Sequence, residues 1–108
     1  MEPEVIFKTQ DDLQRAATEA VAGALVTRGK NKGMLLAKCP PVGTDEAAAW
    51  QAIQSYANPF KTGMAHMMFM SNRGRIIYAA LRKMIRDNNI NVSRLDRDRK
   101  ALEAFGVW

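Results

Sequence analysis

Residues 76–85, IIYAALRKMI, set Ile76, Ile77, Ala80, Leu81, Met84 and Ile85 at intervals of one, three and four. An α-helix turns once every 3.6 residues, so this spacing gathers all six on one side, whereas a strand would divide them between two faces. Leu13, Ala16, Ala17, Ala20, Val21, Ala24 and Leu25 repeat the pattern for more than three turns, and Ala49, Trp50, Ile53, Tyr56 and Ala57 form a third instance. Separate amphipathic stretches of this kind hide their stripes by packing helix against helix. The expected fold is therefore mainly α: a compact bundle of about five helices in one domain spanning residues 1–108, which is chain enough for a single core.

Capping residues supply the predicted boundaries. Thr9 followed by Asp12 resembles a capping box for the first helix, which should stop near Arg28 and Gly29. Thr44, with Asp45 and Glu46 in the first turn, opens the second. Asn58-Pro59 starts a third, running from Phe60 to Met70. Ser71 and Asn72 cap a fourth, although Gly74 also allows the third and fourth to be one kinked helix. Ser93 with Asp96 is a second capping box, ahead of a last helix that turns Leu95, Ala101, Leu102 and Phe105 inward and ends at Gly106. Near the N-terminus, VIFK (5–8) and MLLAK (34–38) leave room for a small two-stranded element. Between them RGKNKG (28–33) reads as a flexible basic loop without the Lys-Ser/Thr ending of a phosphate-binding P-loop.

Composition excludes several classes. At 47% hydrophobic and 25% charged, the chain has the balance of an ordinary globular protein. The opening MEPEVIFKTQ is acidic where a secretory leader is basic, and no apolar run approaches the roughly 18 residues of a membrane span. The expectation is a cytoplasmic protein with no membrane partner. One cysteine, Cys39, cannot form an intrachain disulfide. No cofactor fingerprint, metal-ligand spacing or aligned nucleophile and base is present, so neither a cofactor nor catalysis is expected.

The charge is unevenly placed. Residues 1–59 hold six Lys/Arg against seven Asp/Glu, and residues 60–108 hold ten against four, so the net +5 comes from the second half. That asymmetry raises the odds of an anionic partner, nucleic acid first. The candidate residues are Arg73, Arg75, Arg82, Lys83 and Arg86, of which Arg75, Arg82 and Arg86 share one helix face opposite the isoleucine stripe. If a helix begins at Asn72, its free N–H groups with Arg73 and Arg75 would converge on a small anion. The last two helices also have the outline of a helix-turn-helix, but their turn lacks a glycine. The final helix neutralises itself through the pairs Asp96–Lys100, Arg94–Asp98 and Arg99–Glu103.

GMAHMMFM (63–70) surrounds the single histidine, His66, with Met64, Met67, Met68 and Met70. Thioethers and an imidazole suit a soft metal such as Cu(I). Against that, each methionine left in water would forgo about 1.5 to 3 kcal/mol, and a segment apolar around its circumference belongs in a core or a subunit interface. The leading expectation is a non-catalytic interaction protein that self-associates, with Met64, Met67, Met68, Met70 and Trp108 as contacts. The alternatives are a nucleic-acid-binding accessory or regulatory protein using residues 73–86, and a small-ligand or soft-metal binder around His66.

Overall fold

A computed structural model describes residues 6–57 and 70–107. Four α-helices lie among them: α1 (Gln10–Ala24), α2 (Asp45–Ala57), α3 (Asn72–Asp87) and α4 (Arg99–Phe105), with a 3-10 turn at Val92–Arg94 before α4. The Cα radius of gyration, 13.4 Å, is close to the roughly 13 Å of a compact domain of this length.

Three of the expected caps form. Thr9 Oγ1 accepts from the Asp12 N–H at 3.1 Å, Thr44 Oγ1 from Ala47 at 3.2 Å and Ser71 Oγ from Gly74 at 2.9 Å. Each satisfies a first-turn donor that the helix itself leaves without an acceptor. At the other end of the chain, Gly106 adopts φ 80°, and the Gly106 and Val107 N–H groups reach the carbonyls of Glu103 and Leu102. This Schellman arrangement closes α4 where the glycine was expected to close it.

The core grows from alanine. On α1, Ala17, Ala20, Val21 and Ala24 are buried; on α2, Ala48, Ala49, Ala52 and Ile53 are buried, and the two helices pack together. Short side chains on both sides let helix axes approach closely. A Cβ added at Gly23 would stand 2.5 Å from Glu46 Cγ. α3 packs on the other flank of α2 and supplies Ile77, Leu81 and Ile85, each almost fully buried, with Gly74 against Ala48 Cβ. α4 closes the cluster with Ala101, Leu102 and Phe105, and Thr18 Oγ1 donates to the Phe105 carbonyl at 3.1 Å.

Three expectations are corrected. The count of five helices is not met: four lie among the described residues, and the expected third, Phe60 to Met70, falls outside them up to Phe69. The small two-stranded element reduces to one isolated antiparallel bridge, Leu25 to Leu35. Hydrogen bonds from Leu36 to Ala24, Val26 to Met34 and Gly33 to Val26 flank it. The pairing stops there because the backbone preceding Leu25 is coiled into helix α1, whose end still lends the Ala24 carbonyl to Leu36. Residues 6–8 form no strand, and Phe7 packs against the core instead. The RGKNKG loop is thus anchored at both ends, and α1 ends at Ala24 rather than near Gly29.

The last helix starts late. Asn91 Oδ1 accepts from both the N–H and the hydroxyl of Ser93, at 3.2 and 2.7 Å, and so diverts that serine from a capping role. Asp98 caps α4 instead, accepting from Lys100 N–H at 3.1 Å.

Candidate functional site

With Ile77, Leu81 and Ile85 turned into the core, the helical period forces Arg75, Arg82, Lys83 and Arg86 outward, and all four are exposed. From Arg75 to Arg86 the helix rises about 16 Å. Arg75, Arg82 and Arg86 lie within one narrow stripe of α3, as their spacing of seven and four requires.

Arg82, in the middle, is contacted by two tyrosines. Its Cζ lies 5.0 Å from the Tyr56 ring centroid and 5.7 Å from that of Tyr78. Nη1 donates to the Tyr78 hydroxyl at 3.0 Å, while the Tyr56 hydroxyl donates to the Arg82 backbone carbonyl at 3.3 Å. The hydrogen bond with Tyr78 chiefly raises the Arg82 pKa against the opposing effect of burial. Arginine is charged at any physiological pH, and these contacts orient its planar donor set, the form of cation suited to bidentate contact with phosphate. The sequence spacing places Tyr56 on the apolar face of α2. Its contact with Arg82 of α3 follows only from the packing of α2 on α3.

Arg86 makes a long contact with Asp87, 3.6 Å, between two well-exposed side chains. Exposed pairs of this kind contribute little and yield readily to another anion. Arg73 departs from the group. About 200° around the helix from Arg75, it donates from Nε to both oxygens of Asp45 and lies over the Phe7 ring, 4.8 Å from its centroid. The small-anion site expected at the start of α3 is therefore not assembled: Arg73 is turned onto α2, and the Gly74 N–H is taken by Ser71. Residues 88–98 separate α3 from α4, far longer than the tight turn of a helix-turn-helix. Of the pairs expected to neutralise the last helix, Arg99–Glu103 forms at 3.3 Å, whereas Asp96 meets its neighbour Arg97 and Asp98 serves as the cap.

Met64, Met67, Met68, Trp108 and His66 lie outside the described residues. Met70 is half-buried and lines a cavity of about 330 Å³ with Cys39, Pro41, Val42, Ala47 and Gln51. Gln51 Nε2 donates to Cys39 Sγ at 3.5 Å there. Among the described residues no group of three or more His, Cys, Asp and Glu side chains is placed to hold a metal ion. No helix among them is long and apolar enough to cross a membrane.

No family model, curated protein or solved structure matches this chain. Among the described elements, α3 presents the largest set of exposed cations.

Proposed function

We propose that the protein is a non-catalytic nucleic-acid-binding accessory protein of the cytoplasm. Arg75, Arg82 and Arg86 follow a phosphate backbone, and Lys83 flanks them. The observation that carries this reading is the outward stripe of α3, with Arg82 fixed between Tyr56 and Tyr78. Cations spread along about 16 Å of rigid helix meet several phosphates of one strand, and each contact releases condensed counterions. Affinity of this origin carries no sequence preference. The expected self-association is a separate reading. Its one described residue, Met70, is half-buried beside the cavity, so the mass in solution is its test.

Labelled duplex and single-stranded oligonucleotides titrated at several salt concentrations test the proposal. Log Kd should vary linearly with log salt. Replacing Arg75, Arg82 and Arg86 together by alanine should lower the slope by about 2 to 3 units, at roughly 0.7 to 0.9 per phosphate contact. Absence of binding at low salt, or a slope indifferent to the triple substitution, overturns the reading.

A further inference from the structure

We propose that the groove between the start of α1 and the flank of α3 docks an amphipathic, acidic helix of a partner protein. Its floor is apolar, made by Leu13 of α1 and Ile76, Ala79 and Ala80 of α3, and its α3 rim carries Arg75 and Lys83. Through Leu13 and Ile76 it continues into a second hollow beside Ile6 and Phe7, with Lys8 at the edge. No carboxylate lines either hollow among the described residues. Ile76 is 37% exposed, although it belongs to the stripe that buries Ile77, Leu81 and Ile85.

The chemistry selects the occupant. Leu13 and Ile76 offer a phosphate backbone nothing, so this flank differs in kind from the arginine stripe beside it. A second copy of the chain presenting its own α3 would set arginine and lysine against Arg75 and Lys83. An acidic helix with an apolar stripe satisfies both features: leucine-sized side chains fill the floor, and carboxylates meet the two cations. Those cations stand two helical turns apart, about 12 Å, which matches acids seven or eight positions apart on the incoming helix. The small side chains of Ala79 and Ala80 let its axis come close, and helix-in-groove docking of this kind is read through anchors at three-and-four spacing.

The probe is a fluorescein-labelled helical peptide of about 16 residues, with leucines at three-and-four spacing and glutamates on both sides. A scrambled peptide of equal composition and a peptide with lysine for each glutamate are the controls. Anisotropy should show binding by the first peptide, about tenfold weaker for the scrambled one. Ile76→Asp should weaken binding about tenfold while helical circular dichroism stays unchanged. Arg75→Glu with Lys83→Glu should reject the glutamate peptide and accept the lysine peptide. Equal binding of the scrambled peptide, or indifference to Ile76→Asp, overturns the proposal. So does a dimer mass in light scattering that Ile76→Asp reduces to monomer, because the occupant is then a second copy. Arg75 and Lys83 serve both readings, so the scrambled peptide and Ile76→Asp, which leave those two cations in place, separate failure of this proposal from failure of the nucleic-acid reading.

Discussion

Both carboxylate oxygens of Asp45 accept from Arg73 Nε, at 3.1 and 3.0 Å, joining the first turn of α2 to the first turn of α3. Arg73 is thereby part of the scaffold. Its side chain is 45% exposed and that of Asp45 27%, so solvent screens the pair and Arg73→Ala should cost no more than about 1 kcal/mol. A urea titration reads that loss as a lower midpoint. Oligonucleotide affinity should stay within about twofold of the wild type; a larger fall would return Arg73 to the binding stripe.

Arg82→Lys separates charge from orientation. The ammonium keeps the positive charge but cannot reproduce a planar guanidinium lying beside the Tyr56 and Tyr78 rings. On the proposed reading the salt dependence of binding should hardly change, because one cation still meets one phosphate. Affinity should fall by about threefold to tenfold, for want of a pre-oriented bidentate donor. Unchanged affinity would mean that the tyrosines merely support the fold.

Local chemistry was legible and distant chemistry was not. Thr9, Thr44 and Ser71 announce helix starts because a cap bonds within three residues of itself. The outward position of Arg75, Arg82, Lys83 and Arg86 follows from the period that buries Ile77, Leu81 and Ile85. Arg73 escaped because its acceptor, Asp45, lies 28 residues away, and Tyr56 escaped because its role depends on α2 meeting α3. The start of α4 was misread where two nearby polar groups compete, since Asn91 engages Ser93 before the latter can cap. Ile76 belongs to a six-residue stripe broader than its neighbouring helices cover, and the spacing alone does not say which edge stays wet.

Gly33 is a point where sequence neutrality conceals a tight contact. It adopts φ +92°, and a Cβ there would lie 3.1 Å from the Leu95 carbonyl oxygen and 3.3 Å from Asp96 Cα. Gly29, in the same loop, adopts φ +84° with nothing within 4 Å of an added Cβ. Gly29→Ala should therefore cost only the conformational penalty, about 1 to 2 kcal/mol. Gly33→Ala should cost at least about 1 kcal/mol more, because backbone must move as well. Denaturation midpoints of the two variants give the difference directly. Equal losses would show that the loop does not press on the Leu95 turn.

Thr18→Val tests how α4 is held. At seven residues α4 is far below the length at which a helix persists alone, so it depends on burial of Phe105 and on the bond from Thr18 Oγ1 to the Phe105 carbonyl. Valine keeps the shape and removes the donor, which should cost about 1 kcal/mol. The loss should be local: amides within 101–107 should exchange faster, since the freed carbonyl sits at the end where the helix frays. Amides in α2 and α3, packed on each other rather than on this bond, should keep their protection relative to global unfolding. Faster exchange spread evenly over all four helices would instead show that α4 and the alanine seam unfold as one unit.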